Sequence, residues 1–458
     1  MEWTPTSVAE VTGGRLVWPV RRAGDPSDLP AITLFGVSID SRLTQRGELF
    51  VAIKAERDGH DFVSAAVDAG AAAVMVNHGK VAEGLRVPAV VVQDTGAGLL
   101  ALGSAARDRL AGDVVGITGS VGKTSTKDLA AAALGAARRV TASERSFNNE
   151  LGVPLTLANA PASTEVAVIE MGARGPGHVA LLSRIARPTV GVVTCVAAAH
   201  TELFGSIDNI AAAKGELVES LPAGGTAVLN GDDPRVAAMA NRTKARSLLY
   251  STTQPTADLF ADGIQLDDQL RAKFDARTPW GTVAVTLGAR GAHQVPNALA
   301  ALAIACVCGV ELYPAAAALA DARLSPWRME VGRSRAGSFL INDSYNANPT
   351  SMRAALDALA AAPARRRVAV LGEMAELGNR SNEEHLAVAV YAAQLGIEVI
   401  AVGTAAYGLQ PAAGIDDAEL LLSDLSAGDA VLVKASRVAG LEQLAARLAS
   451  DSSDKDPA

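Results

Sequence analysis

The sequence predicts an α/β protein of three domains, the central one built on a mostly parallel sheet and the last one Rossmann-like. Three observations support this. The chain has 458 residues, and at about 150 residues per domain that length accommodates roughly three. Short apolar runs of strand character alternate with helical segments over most of the chain, the pattern of parallel sheets covered by helices. Residues are 49% apolar but only 4% aromatic. Ala, Gly and Val dominate, which suits closely packed layers and excludes a disordered chain.

The first domain is expected over residues 1–93. GVSIDSR and ELFVAIKA read as strands, HDFVSAAVDAG as a helix, and AAAVMVN and PAVVVQ as buried strands. Asp94 reads as the N-cap of a helix to about Arg109. That helix leads into DVVGITGSVGKTSTKDLAAAAL, a strand, a turn and a second helix. The central domain, 94–326, continues with the strands VAVIEMG and TVGVVTCV, the helix IDNIAAAKGELVESL and the strand GTAVLNGDD. Turn signals and short alternating runs such as TVAVTLG predict an antiparallel excursion at about residues 250–290, and an Ala-rich helix after Pro296 closes the domain. The third domain, 327–458, shows four strands, FLINDSY, RVAVLGEM, EVIAVG and DAVLVKAS, separated by three helices. Its polar end is expected to fray from about residue 450.

Composition narrows the function. The 41 Lys and Arg against 49 Asp and Glu give a net charge of -8, and generic nucleic-acid binding needs clustered positive charge instead. Cys195, Cys306 and Cys308 cannot form a disulfide framework, and read as packing residues in a reducing compartment. The start, MEWTPTSVAEVTGG, lacks a basic segment followed by an apolar one. The longest uncharged apolar stretch, 298–310, falls short of the about 20 residues that cross a bilayer. A soluble cytoplasmic protein without a membrane span is the expectation.

The strongest local signal is Gly119-Ser120-Val121-Gly122-Lys123-Thr124-Ser125. Backbone amides of such a loop wrap phosphate oxygens, and the following helix points its positive end at them. Lys123 would neutralise the β- and γ-phosphates, and the Thr124 hydroxyl would ligate Mg²⁺. The eight-residue form of the motif needs Gly at position 117, where this chain has Ile117; the shorter TGxxGKT[ST] is present. Kinases, GTPases, transporters and ligases share this loop, so it predicts a nucleotide site and leaves the chemistry open.

Other polar residues fall at strand ends, where α/β sheets bind ligands. Glu170 ends the run VAVI and can serve as a second Mg²⁺ ligand or as a solvated carboxylate. His200 follows the next strand, as a metal ligand or a structural histidine. Lys214 lies in the apolar turn AAAKGEL, where a lysine usually snorkels to solvent. Asp232 and Asp233 follow GTAVLN, as ribose or metal contacts or as turn carboxylates. The block from Ser146 to Asn149 has no role of its own on sequence chemistry. Asn342-Asp343-Ser344-Tyr345-Asn346-Ala347-Asn348-Pro349 has more donors and acceptors than a plain turn needs, which favours ligand contact. Arg328, in SPWRME, can reach a phosphate or form a surface ion pair.

In order along nearly the whole chain, these segments resemble the Mur ligases, the ATP-dependent amide ligases of peptidoglycan precursor synthesis. The matching segments are DSR, ELFVAIKAERDGHDF, TGSVGKTS, SFNNELGVPLTL, IEMGA, AAAHTELFGS, AAAKGEL, LNGDD, PNALAALA, SPWRME, NDSYNANPTSM, GEMAELG and VKASR. NDSYNANP and GEMAELG look like the member that adds D-alanyl-D-alanine to UDP-N-acetylmuramoyl-tripeptide. The sibling that adds the third amino acid usually has Tyr-Ala-His where this chain has SYNANP. A sibling adding a single amino acid is the nearest alternative; a P-loop phosphotransferase or a nucleotide-dependent binding protein is the alternative of another class.

The resemblance implies a UDP-binding first domain, an ATPase-type central domain and a third domain that brings the amine. It implies ATP and two Mg²⁺ ions, Thr124 and Glu170 holding the ion on the ATP phosphates and His200 the second. Lys214 matches the lysine that is carbamylated in this family and helps hold that second ion. Lys123, His200 and Lys214 form the implied catalytic set. Asn297 matches an adenine contact, Arg328 a phosphate contact and Asp343 a ribose or nucleotide contact. Ser38, Asp40, Ser41 and Arg42 fall where the UDP part is gripped, and Asn149, Tyr345, Asn346 and Asn348 count as further substrate contacts. His385 matches a family histidine without an assigned role, and a monomer is expected. Two departures stand out: Gln294 replaces an asparagine of the HNxxN adenine motif, and Ala435 replaces the glycine of KGSR.

Overall fold

The computed structural model describes residues 1–19, 32–77, 84–144, 147–197 and 204–449. It is an α/β structure with three sheets, as the alternating pattern predicts. Contacts group the chain into two compact units. One comprises Met1–Gly116, Arg138–Gly172 and Val179–Val190; the other comprises Ile117–Ala137, Ala173–His178 and Gly191–Ala458.

The first unit holds a five-stranded sheet of β1 (Arg15–Val17), β2 (Val37–Ser38), β3 (Leu49–Val51), β4 (Ala73–Val76) and β5 (Ala89–Val91), in the order β1-β5-β4-β3-β2. Four of these strands run parallel; β1 joins β5 antiparallel. GVSIDSR gives only the two residues of β2, because the Asp40 carbonyl accepts both Leu43 N and Thr44 N and turns the chain. Asp94 caps the helix Thr95–Arg109, its carboxylate accepting Ala97 N at 2.8 Å. This helix lies against Gly152–Asn159, closely enough that a Cβ on Gly103 would sit 2.4 Å from Pro154 Cβ. The opening helix, Pro5–Thr12, is set by its ends rather than by apolar spacing: Thr4 and Ser7 form its capping box and Gly13 ends it at φ 62°.

The second sheet has nine strands: β6 (Asp113–Thr118), β7 (Val140–Ala142), β8 (Val166–Glu170), β9 (Val190–Val193), β10 (Thr226–Asn230), β11 (Arg246–Ser251), β12 (Leu259–Leu266), β13 (Arg271–Thr278) and β14 (Gly281–Arg290). Their order is β14-β13-β12-β11-β10-β9-β6-β8-β7. The pairs β10–β11 and β11–β12 are parallel, and β12–β13–β14 form the antiparallel excursion. The helix Val295–Val307 is buried almost all round, as an Ala-rich helix without a polar face must be.

The third sheet comprises β15 (Glu330–Arg333), β16 (Phe339–Asn342), β17 (Arg366–Leu371), β18 (Glu398–Ala401) and β19 (Asp429–Lys434), in the order β15-β16-β19-β17-β18. Period-two alternation sends Phe339, Ile341, Ala369, Leu371, Ala430 and Leu432 into one core. Leu340, Val368, Val370, Val431 and Val433 enter the other. Both faces are covered, so these strands read as unbroken apolar runs. The antiparallel edge strand β15 escaped the sequence reading because its residues are mostly exposed.

Candidate active site

The phosphate loop lies between β6 and the helix Lys123–Gly135. Gly119 and Gly122 have φ 152° and 87°, a region open to glycine. Space adds a second demand. A Cβ on Gly119 would approach Thr194 Oγ1 to 1.8 Å, and one on Gly122 would approach Asn297 Oδ1 to 2.6 Å. The loop is held from outside: Val121 N donates to Cys195 Sγ at 3.3 Å, Thr194 Oγ1 donates to Val121 O at 2.5 Å, and Ser120 Oγ donates to Ala197 O at 3.0 Å. Lys123 Nζ donates back to Gly119 O at 2.7 Å, so its charge lies over the loop. Thr124 and Ser125 are buried in the first helical turn, where the helix dipole favours an anion.

Around this loop the second unit assembles several implied residues. Arg328 Nη2 donates to Thr124 Oγ1 at 2.9 Å, and its guanidinium lies 4.1 Å from the Tyr345 ring centroid. Arg328 is therefore no surface ion pair. Asn297 Oδ1 accepts Thr126 Oγ1 at 3.1 Å, and Asn297 Nδ2 donates to Gln294 Oε1 at 2.9 Å. Gln294 thus orients the asparagine beside it. Lys214 is 4% exposed on the helix Ile207–Glu219. Burial, and then the charge of Lys123, push its amine down to about 7. It is not a snorkelling lysine.

In the first unit, Glu170 ends β8 with 1% exposure; Asn148 Nδ2 donates to its Oε1 at 2.7 Å. Asn148 is the side chain of that block that holds the carboxylate. The Asn149 carboxamide oxygen accepts Leu151 N and Gly152 N at the start of the next helix. Arg42 grips Asp40 through two bonds of 2.9 and 2.6 Å, and this pairing holds the Asp40 carboxyl below the usual range. Ser38 is buried and accepts Thr44 Oγ1 at 3.1 Å, while Ser41 lies in the same turn. His200 and Ser146, and the tail from residue 450, lie outside the described residues. Among the described residues no group of three or more His, Cys, Asp or Glu gathers as a metal site.

Asp232 and Asp233 are structural. Asp232 accepts hydrogen bonds from Ser251, Thr252 and Thr253, while Asp233 Oδ2 takes Val196 N at 2.7 Å.

At the carboxyl ends of β16, β17 and β19 three loops meet. Ala375 N donates to Ser436 Oγ at 2.9 Å, and Ser436 Oγ donates to Ala347 O at 3.4 Å. Part of the polar richness of NDSYNANP is spent internally. Asn348 caps the helix Pro349–Ala361, Asn346 Oδ1 accepts Ala347 N, and Asn342 Oδ1 accepts Ser344 Oγ. Asp343 is bound by Lys434, a residue 2% exposed that sequence reasoning passed over. A lysine closing an otherwise apolar strand, VLVK, was the available signal. Ala435 is tolerated because it faces Gly372: a Cβ there would lie 2.7 Å from Ala435 Cβ. His385 is fully buried and takes a structural part: Nε2 accepts Met374 N at 2.9 Å and Nδ1 donates to Ser381 O at 2.6 Å.

Comparison with known proteins identifies the family. The Mur ligase middle domain matches residues 117–305, and the Mur ligase glutamate ligase domain matches 327–454. The UDP-N-acetylmuramoyl-tripeptide–D-alanyl-D-alanine ligase of Mycobacterium bovis is 39% identical, covering 98% of both chains. The Escherichia coli protein of the same name is 35% identical over 90% of this chain and 93% of its own. The crystal structure of MurF from Acinetobacter baumannii superposes with a TM-score of 0.86 at 30% identity, covering 98% and 99% of the two chains. MurF ligase from Thermotoga maritima in complex with ADP gives a TM-score of 0.78 at 28% identity, covering 90% and 96%. On these matches, and with an ordered motif set spread along its length, the chain belongs to the Mur ligase family.

Proposed function

We propose that this chain is the ATP-dependent ligase that joins D-alanyl-D-alanine to UDP-N-acetylmuramoyl-tripeptide in peptidoglycan synthesis. The observation that carries this reading is end-to-end similarity to relatives bearing that name, at 39% identity over 98% of the chain. Under this reading residues 1–93 take the UDP handle, through Ser38, Asp40, Ser41 and Arg42. Residues 94–326 take ATP and residues 327–458 present the dipeptide. The reading carries with it a monomer working in the reducing cytoplasm, where Cys195, Cys306 and Cys308 would stay reduced.

Joining a carboxylate to an amine in water is uphill, so the carboxylate must be activated. The tripeptide carboxylate attacks the γ-phosphorus of ATP, ADP leaves, and an acyl phosphate results. The dipeptide amine then attacks the acyl carbon and expels phosphate. The first step brings one anion onto another. At about 4 Å and an effective dielectric near 20, each unit-charge pair costs roughly 4 kcal/mol. Lys123 and Arg328 offset that repulsion from fixed positions beside Thr124, and the loop amides hold the phosphates in line.

Thr124 offers a hydroxyl and Glu170 a buried carboxylate, each an oxygen donor of the kind a hard divalent ion takes. An unmodified amine at Lys214 would not fit. With its pKa near 7, a large share is uncharged and nucleophilic, so it can combine with CO₂ to form an anionic carbamate. Mg²⁺ held by Thr124, Glu170, His200 and carbamylated Lys214, in two ions, would supply the further positive charge that the phosphates require. Asn297 and Asp343 would complete the nucleotide contacts, and Asn149, Tyr345, Asn346 and Asn348 would lie along the peptide.

The test is phosphate release assayed with each substrate alone and with both. The reading expects release only when UDP-precursor and dipeptide are present together, and a product heavier than the precursor by one dipeptide less water. Release with either alone, or equal turnover with a single amino acid, would overturn it.

A further inference from the structure

We propose that Lys434 is a positioning residue for the nucleotide site, acting through Asp343 on the backbone that carries Arg328; this rests on the reading above. Lys434 ends β19 and is 2% exposed. Its ammonium donates to Asp343 Oδ2 at 2.5 Å, Asn346 O at 2.8 Å and Asp343 O at 3.3 Å. The three donors of the ammonium have three acceptors, so a buried charge is compensated. The second carboxylate oxygen of Asp343 accepts Met329 N at 3.1 Å. One carboxylate thus ties a buried cation to the residue that follows Arg328.

That segment needs holding. Trp327 and Met329 have φ 60° and 52°, left-handed values that side-chain-bearing residues adopt only when their surroundings enforce them. Tyr345 N donates to Trp327 O at 3.2 Å, and the Arg437 guanidinium lies 4.3 Å from the Trp327 ring centroid. Arg328, between the two strained residues, donates to Thr124 on the phosphate-loop helix and stacks on Tyr345. The pair Lys434–Asp343 fixes the backbone on one side, and Tyr345 with Arg437 fixes it on the other. A Lys434 side chain whose ammonium is spent on Asp343 and Asn346 therefore sets where the Arg328 charge sits. Beside the nucleotide contact proposed for it, the Asp343 carboxylate works as a strut between lysine and backbone.

The test is a double-mutant cycle on ATP affinity, measured by calorimetry with Mg²⁺ and without either peptide substrate. A failure of the ligase reading would show in product analysis of the wild type and would leave this cycle readable. Lys434→Met is expected to weaken ATP binding about tenfold, and Arg328→Ala by at least as much. The double variant is expected to lie within about threefold of Arg328→Ala alone, because one effect runs through the other. If Lys434→Met does not yield folded protein, Lys434→Gln, which keeps a donor for Asp343, takes its place in the cycle. Wild-type ATP affinity in the Lys434 or the Arg328 variant, or losses that multiply in the double variant, would overturn the proposal.

Discussion

His385 and Met374 are joined by a 2.9 Å hydrogen bond in which the Met374 backbone N–H donates to the imidazole Nε2. The opposite nitrogen donates to Ser381 O, and the ring meets the Tyr407 ring edge-on at 4.9 Å. These partners fix the tautomer and pin the GEMAELG loop onto the helix Ser381–Gln394. His385→Ala is expected to leave a buried amide unsatisfied and to lose about 1–3 kcal/mol of stability. Urea unfolding reads this; an unchanged midpoint would contradict the role.

Gly122→Ala should cripple nucleotide binding. A methyl at φ 87° would also press on Asn297 Oδ1 at 2.6 Å. ATP affinity is expected to fall by about tenfold or more. Gly135→Ala is the control, since nothing lies within 4 Å of its Cβ position. Equal behaviour of the two variants would mean that the loop tolerates a side chain.

Lys123→Ala is expected to lower ATP-dependent amide formation by roughly 10³-fold while the far-ultraviolet circular dichroism stays that of the wild type. Wild-type turnover in this variant would remove the charge-neutralisation argument.

Lys214→Ala is expected to lose most activity and to regain part of it with small carboxylic acids, which can replace a carbamate. Rates measured with and without added acetate check this. A variant as active as the wild type would rule out a carbamylated lysine.

Asp232 gives a pH-dependent contribution with a definite sign. Burial acts to raise its carboxyl pKa, but hydrogen bonds from Ser251, Thr253 and Thr252 outweigh burial and hold it below the usual value. A depressed folded-state pKa gives stability that is complete above the ordinary carboxylate value near 4. That contribution is lost as pH falls through the lower folded value. Asp232→Asn should therefore be less stable than the wild type at pH 7, with the gap narrowing in acid. A gap that widened below pH 4 would refute the sign.

What the sequence made legible were features with a local physical signature. The Asp94 cap, the loop before Lys123, the apolar strands of the third sheet and the antiparallel run near residues 250–290 each announce themselves by spacing or composition. What stayed hidden depends on contacts distant along the chain. Lys434 meets Asp343 across 91 positions and Arg328 meets Thr124 across 204, and no window along the chain shows either. NDSYNANP had the right character for a ligand loop, yet Asn348 and Asn342 turn out to brace the loop itself. Edge strand β15 was illegible for a simpler reason: exposed residues leave no apolar period to read.

In the proposed reaction, phosphate passes to the peptide carboxylate before the amide forms. UDP-N-acetylmuramoyl-tripeptide labelled with ¹⁸O in its terminal carboxylate, incubated with ATP and D-alanyl-D-alanine, tests it directly. Each phosphate released should carry one labelled oxygen. Phosphate free of label, with amide still forming, would contradict it.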